Sequence, residues 1–441
     1  AGRAAAGSAG RYVGAGPKRS RSRAAAAAIS GSSSTALIVP PSRGAIPPDY
    51  RLFTFDGVVS HIEVDFESEG QTSYCNYDPE WRKLPFHDPD YDGFFLGEVE
   101  KPARLEEMIR GVLAPVIAPE TWLPVVPNQE SGFRNKAKLV VGGRRGEPTL
   151  GILDKQGTGV DLRHCGLYEA GLAQVVPQVG EFVAAAGFTP YDVSTRSGEL
   201  KHVIITHSPE GRLLTRFVFR SEGQVKRLRE WLDQLPGGVL VVTANLQPEH
   251  KAILEGPEEI VLSEGRHLHM PINDVVLQIG PKSFFQTSTP MAARLYATAR
   301  DWVAEVEPTR VLDLYCGVGG FAKHVAAPGR LVHGLEISAE AIECARVGEA
   351  AGVSFEVADA SQLTKLDAEL VIVNPPRRGI GALAGALDGS EAEAILYSSC
   401  NPGSLAADLA ALTSYAVVKA QVFDMFPQTH HAEVLVLLRR Q

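Results

Sequence analysis

The sequence predicts an α/β protein, with a seven-stranded doubly wound sheet over residues 281–441 behind an α+β domain over 121–280. Three observations predict it. Seven short apolar runs recur at 310–315, 331–335, 353–357, 370–373, 394–397, 416–422 and 434–438. The first five are spaced by helix-length or loop-length segments, as in parallel strands joined by crossovers, and the last two are close enough for an antiparallel edge hairpin. Upstream, strand-like runs at 138–141, 150–153, 202–206, 213–218 and 239–243 alternate with polar turns, which suits a largely antiparallel sheet.

Residues 1–48 are rich in Ala, Gly, Ser and Arg, with too little apolar surface to offset the entropy of ordering, and read as a disordered leader. An Arg-rich, acid-poor stretch also describes a transit segment; a solvated tail is the preferred reading. Residues 49–120 read as a poorly defined region with one or two weak strands in 50–64, then a stretch to Tyr91 full of Asp, Pro and Tyr. From Pro102 the spacing of Leu105, Met108, Ile109 and Val112 is helical. Within 281–441, Thr289 caps a helix with Pro290 at its first position and Leu295, Trp302, Val303 and Val306 on its apolar face.

Composition narrows the function. The chain has 441 residues, 44% hydrophobic and 22% charged, with no apolar run long enough to span a membrane. Five cysteines without a C-x-x-C pair argue against a disulfide framework and fit a reducing, cytoplasmic setting. The net charge is −9, yet no acidic residue precedes Asp49, so 36 basic residues face 52 acidic ones in the remainder. A nucleic-acid partner would therefore need a local basic patch.

The chemistry-bearing residues sit at the expected strand ends, where doubly wound sheets bind their ligands. The first strand runs into Asp313-Leu314-Tyr315-Cys316-Gly317-Val318-Gly319-Gly320, a turn where backbone can approach a cofactor, and Glu336 ends the second strand, placed to bond ribose hydroxyls. The third glycine of a dinucleotide fingerprint is missing, which favours a nucleoside without a pyrophosphate, such as S-adenosylmethionine. The fourth strand ends at Asn374-Pro375-Pro376-Arg377-Arg378-Gly379, either a simple tight turn or a rigid loop presenting the Asn374 amide. The fifth ends at Tyr397-Ser398-Ser399-Cys400-Asn401-Pro402 ahead of a helix, whose dipole is expected to favour the Cys400 thiolate. Near the C-terminus, Thr429-His430-His431-Ala432-Glu433 could supply a metal site or a general base, and the base is preferred because adjacent histidines on a strand point apart.

Five stretches together, Phe284-Phe285-Gln286-Thr287-Ser288, Asp313-Leu314-Tyr315-Cys316-Gly317, Asn374-Pro375-Pro376-Arg377, Ser398-Ser399-Cys400-Asn401 and 429–433, resemble the RNA uracil-C5 methyltransferases. Gly132-Phe133-Arg134-Asn135-Lys136-Ala137-Lys138, Gly198-Glu199-Leu200-Lys201 and Asn245-Leu246-Gln247-Pro248 extend the likeness towards the subgroup acting on 23S ribosomal RNA, over residues 124–441. The resemblance implies a Rossmann-like methyltransferase domain, Cys400 as nucleophile and Glu433 as base. It also implies Gln286, Tyr315, Glu336 and Asn374 as S-adenosyl-L-methionine ligands, with Gly317 and Asp359 beside them. Phe133, Arg134, Asn135 and Lys136 are then expected to bind RNA from the central domain, among a wider set of basic candidates at Lys138, Arg144, Arg145, Arg216, Arg220, Lys226, Arg227 and Arg229. The target base would leave its stack.

The subgroup's iron-sulfur cluster takes four cysteines; here Cys75 and Cys165 match two and the stretch 79–87 replaces the others, so neither cluster nor metal is expected, the alternative being His87 or an aspartate as substitute ligand. The expected activity is S-adenosylmethionine-dependent methylation of uracil C5 in 23S ribosomal RNA through a cysteine adduct at C6, by a monomer. The alternatives are a transfer-RNA uracil-5-methyltransferase and a non-catalytic RNA-binding factor on the same scaffold.

Overall fold

The computed structural model describes residues 34–36, 49–55, 58–68, 71–77, 97–154, 157–250, 253–348, 350–427, 429 and 431–441. Four strands, β1 (Ser34–Ala36), β2 (Asp49–Phe55), β3 (Val58–Ser68) and β4 (Gln71–Tyr77), form an antiparallel meander in chain order. The expected leader lies outside the described residues except for β1. The third long strand, β4, falls where the sequence offers no clear period; its QTSYCNY lacks the apolar alternation that marks a strand.

Helix α1 (Gly97–Leu113) buries Leu105, Ile109 and Leu113, at four-residue spacing, against the C-terminal sheet, and leaves Met108 and Val112 exposed. Two of the four residues expected on its apolar face thus point to solvent. Beyond it, Leu123 N donates to Ala420 O and Val126 N to Val422 O (both 2.8 Å), which adds a short extended segment to that sheet's edge. Residues 105–126 therefore pack with the C-terminal unit.

The central sheet comprises β5 (Lys136–Arg144), β6 (Glu147–Leu153), β7 (Gly159–Asp161), β8 (Leu200–His207), β9 (Leu213–Phe219), β10 (Val239–Leu246) and β11 (Glu258–Val261). Its order is β11-β10-β9-β8-β5-β6-β7, and only β9 and β10 run parallel. Helix α2 (Ala170–Ala186) lays Leu172, Val176, Val179 and Val183 over Leu139, Val203, Phe217 and Ala244 on one face of this sheet. Alternation sends Lys136, Lys138, Arg216 and Asn245 to the other face. A short helix α3 (Val225–Glu230) follows β9.

The hairpin of β12 (Leu268–Ile272) and β13 (Val275–Ile279) already shares the C-terminal core, so that core begins ahead of residue 281. Helix α4 (Thr289–Val306) follows. Thr289 does not cap it through its side chain: its Oγ1 accepts from Asn135 Nδ2 (2.8 Å), while Ser288 occupies the cap position. Then come β14 (Arg310–Leu314), α5 (Gly320–His324), β15 (Leu331–Glu336), α6 (Ala339–Arg346), β16 (Val353–Val357), β17 (Leu370–Val373), α7 (Leu383–Asp388), β18 (Ala394–Ser399), α8 (Pro402–Ala411), β19 (Tyr415–Phe423) and β20 (Glu433–Arg440). The order is β16-β15-β14-β17-β18-β20-β19, parallel except for β20, which lies antiparallel between β18 and β19. Strand β17 serves both apolar layers, Leu370 and Ile372 facing one and Val371 and Val373 the other, as expected of a strand covered on both faces. Between β14 and β17 the strand order reverses, which opens a crevice at the carboxyl ends.

Candidate active site

β14, β15, β17 and β18 are parallel, so the residues just beyond their ends line one rim; β20 runs the other way and brings its first residue, Glu433, to the same rim. In the ladder of β18 with β20, Ser399 pairs with Val434, and continuing the register by one residue sets Cys400 opposite Glu433. Ser398 shares the face of Cys400 and lies diagonal to Glu433, and its hydroxyl donates to Glu433 Oε1. Glu433 is 2% exposed; burial pushes its carboxyl up to about 7, and the Ser398 hydrogen bond works against that rise.

Cys400 is half-buried and not disulfide-bonded. Burial pushes its thiol up, the nearby Glu433 carboxylate pushes the same way, and the Arg377 guanidinium partly offsets both. The expected lowering by the helix dipole is thus outweighed, because the desolvation of a thiolate exceeds what one turn of backbone N–H groups returns. Those groups are also engaged locally: Asn401 caps α8, its Oδ1 accepting from Gly403 N (3.1 Å), and its Nδ2 donates to Arg377 O (2.8 Å). That second bond ties the Pro-Pro loop to the residue after the cysteine.

The other side of the rim is a cradle. Tyr315 and Gly317 both adopt left-handed backbone (φ 60° and 55°), and a Cβ on Gly317 would meet nothing within 4 Å. The turn is therefore open at Gly317. The Glu336 carboxylate is held by two backbone donors, Gly317 N to Oε2 (3.3 Å) and Ser338 N to Oε1 (2.9 Å). Asp359 accepts from Ser361 N (2.9 Å) and Oγ (2.7 Å), which holds its carboxyl below the usual range. Asn374 N donates to Leu314 O (3.3 Å), joining the ends of β17 and β14. Gln286 is 5% exposed, and its backbone carbonyl accepts from Asn135 Nδ2 (3.1 Å). An open glycine turn beside a carboxylate oriented by two backbone donors fits a nucleoside cofactor.

Beneath the turn, Asp313 is fully buried, accepts from Ala322 N (2.9 Å) through Oδ2 and leaves Oδ1 without a partner; burial pushes its carboxyl up to about 8.

The structure separates the residues expected to bind RNA. Phe133 and Asn135 are buried, at 2% and 1% exposure. Asn135 Nδ2 donates to Gln286 O (3.1 Å) and to Thr289 Oγ1, so this residue joins the central sheet to the segment carrying Gln286. Arg134 and Lys136 are partly exposed. Burial, with Lys138 and Arg216 nearby, brings the Lys136 amine down to about 8. Lys138 is exposed on the same strand face. Arg216 is buried and ion-paired with Glu255 (2.8 Å) and Glu259 (2.6 Å), an internal strut and no phosphate ligand. Arg144 and Arg220 pair with Glu147 and Glu199 (both 2.6 Å).

Cys75 lies in β4, and its side chain, like His87, falls outside the described residues. Cys165 is partly buried, which pushes its thiol up. Among the described residues no three His, Cys, Asp or Glu side chains group as metal ligands, and no helix is long and apolar enough to cross a membrane. His430 is outside the described residues.

Ser398, Arg377 and Asp408 escape the sequence reading. A signal for Ser398 exists, since it stands two residues before the cysteine on a strand and so must share its face. Asp408 has none, because Tyr397 and Ile380 reach it only in the folded chain.

The fold and the site define an S-adenosyl-L-methionine-dependent α/β methyltransferase. A tRNA (uracil-5-)-methyltransferase family model matches residues 351–441. The chain is 49% identical over 348 residues to the 23S rRNA (uracil(747)-C(5))-methyltransferase RlmC of Pectobacterium carotovorum, covering 76% of this chain and 92% of the relative. It is 45% identical over 334 residues to the protein of that name from Escherichia coli, covering 73% and 89%. The crystal structure of Pyrococcus abyssi tRNA (uracil-54, C5)-methyltransferase, with S-adenosyl-L-homocysteine, superposes with a TM-score of 0.70 at 20% identity over 91% of this chain and all of that one, a likeness of fold. The chain belongs to the RNA (uracil-5-)-methyltransferase family.

Proposed function

We propose that this protein methylates C5 of uracil in 23S ribosomal RNA, with Cys400 as the nucleophile and Glu433 as the base. One observation carries the reading: a cysteine and a buried carboxylate adjoin the last pair of one ladder, close enough that the carboxylate acts on the thiol, at the rim that also holds the glycine turn and Glu336. S-adenosyl-L-methionine supplies an electrophilic methyl group. Gln286, Tyr315, Glu336 and Asn374 would hold it, with Gly317 and Asp359 alongside.

Uracil C5 is too poor a nucleophile to take a methyl group unaided. The Cys400 thiol gives up its proton to solvent, its sulfur adds to C6, and the C5–C6 electron pair moves into the ring as an enolate. C5 then forms its bond to the methyl carbon as that carbon's bond to the sulfonium sulfur breaks, the electron pair staying with that sulfur. Glu433 removes the C5 proton, the freed pair restores the C5–C6 double bond, and the C6–S bond breaks with its electrons returning to sulfur. A carboxyl near 7 suits this work, since it is substantially ionised yet basic at neutral pH.

Arg377 and Arg378 are exposed on the Pro-Pro loop, and Arg134, Lys136 and Lys138 lie on the central domain. They supply local positive charge on an acidic chain, for phosphate contacts that position RNA. The relatives named above support ribosomal RNA, and a cytoplasmic setting follows from it. The matched family's own name supports transfer RNA as the second reading. Mass mapping of 5-methyluridine in total RNA, with and without the gene, decides between them: loss of the mark from 23S RNA supports the first, and loss from transfer RNA alone removes it.

A further inference from the structure

Glu433 is a buried carboxylate in an unusual state of support. Among the described residues one hydrogen bond reaches it, from the Ser398 hydroxyl, and no cation pairs with it. The titratable groups facing it are Cys400 across the ladder and Tyr296 from α4; its register partner on β19 is the apolar Phe423. None of these donates to the carboxylate. A hydrogen bond to the charged form is what keeps an acid ionised in a dry site, and here a single side chain supplies it.

We propose that Ser398 is the positioning residue for the base: its hydroxyl aims the Glu433 carboxylate, by Oε1, along the rim towards Cys400 and holds it in the form that can accept the C5 proton. The inference rests on the reading of Glu433 as base. The geometry favours it because Ser398 lies on β18 two residues before Cys400 and its hydroxyl reaches Glu433 at the start of β20, so the strand that leads to the nucleophile also anchors its partner. Among the described residues Ser398 is the side chain that donates to this carboxylate.

The test follows the release of tritium from C5 of uridine-labelled RNA against pH. In Ser398→Ala the rising limb should move up by about one pH unit, so the rate falls about fivefold at pH 7 and recovers near pH 9. Ser398→Thr, which keeps the hydroxyl, should restore the parent profile. Ser398→Cys, nearly isosteric and a weaker donor, carries the same test should the alanine variant not fold. A rate lowered equally at every pH, or a limb that stays put, overturns the proposal. Glu433→Gln separates the two ideas: if that variant is inactive while Ser398→Ala keeps the parent midpoint, the base stands and Ser398 falls. If Glu433→Gln still releases tritium, the base assignment fails and the role of Ser398 goes with it.

Discussion

Cys400 and Glu433 each adjoin the last pair of one antiparallel ladder, Ser399 with Val434, Cys400 just past the end of β18 and Glu433 at the start of β20. The pair owes its geometry to the insertion of an antiparallel strand beside the last parallel one. Only that reversal brings the beginning of a strand to a rim otherwise built from strand ends. Two groups that adjoin one paired end of a ladder are fixed relative to each other more tightly than two free loops could fix them.

Replacing Cys400 with Ala should lower methylation at least about a thousandfold, because no neighbouring group can take over addition to C6. Binding of S-adenosyl-L-methionine, followed by calorimetry, should stay within about twofold, since the cradle at Tyr315 and Glu336 is untouched. Steady turnover in this variant would exclude covalent addition through this sulfur.

Glu433→Gln should trap the enzyme on its substrate. Addition and methyl transfer need only Cys400 and the cofactor, while β-elimination needs the C5 proton removed. A retarded protein–RNA band should therefore survive denaturing electrophoresis, and its absence alongside full loss of activity would move Glu433 to an earlier step.

The same substitution has a stability signature. In the folded chain the Glu433 carboxyl is raised from its ordinary 4.5 to about 7, so the folded state binds the proton more tightly than the unfolded one. The parent's stability from this group is intact below about 4.5 and is lost as pH rises through about 7. Glu433→Gln should thus gain up to about 3 kcal/mol over the parent by pH 8 and nothing at pH 4. Thermal melts at the two pH values check this; a gain that is equal at both would mean the carboxyl is not desolvated.

Much of this was legible in the chain. Alternation of apolar runs with helix-length spacers marks the C-terminal sheet because a strand covered on both faces must be apolar throughout, as 370–373 and 394–397 are. The strand-end residues follow from that, since ligands gather there. What pattern could not supply is burial of polar groups. Arg216 is the first of five basic residues spread over 216–229 and looks like a phosphate ligand, yet Glu255 and Glu259, some forty residues on, draw it inside. Phe133 and Asn135 are likewise buried, and Asn135 joins the central sheet to the segment carrying Gln286, which no periodicity announces.

That difference predicts opposite outcomes for two basic residues on one sheet face. Arg216→Ala strands two carboxylates and should cost about 3–5 kcal/mol of stability. Lys138→Ala, on an exposed site, should leave stability unchanged, weaken RNA binding for all sequences and lower the salt dependence by about one unit of slope. Denaturant titration and filter binding at several salt concentrations separate the two; a Lys138 variant with an unchanged slope would remove that residue from the RNA surface.

Asp408 on α8 connects the two loops that flank the site. Its Oδ2 accepts from Tyr397 OH (2.6 Å), on the strand that leads to Cys400, and from Ile380 N (3.0 Å), at the end of the loop that begins with Asn374. Gly379 adopts a left-handed backbone there and lies so close that a Cβ would strike the same carboxylate. Asp408→Ala leaves a buried hydroxyl and a buried N–H without an acceptor, at a cost of about 3 kcal/mol. Because Asn374 and the cysteine strand lose their common anchor, affinity for S-adenosyl-L-methionine should also fall about tenfold, whereas Tyr397→Phe, which removes one donor and leaves the loop bonded, should keep most of it. Calorimetric titration of both variants with the cofactor distinguishes the cases: if Asp408→Ala loses stability but binds the cofactor as the parent does, the clamp holds the fold and does not shape the site.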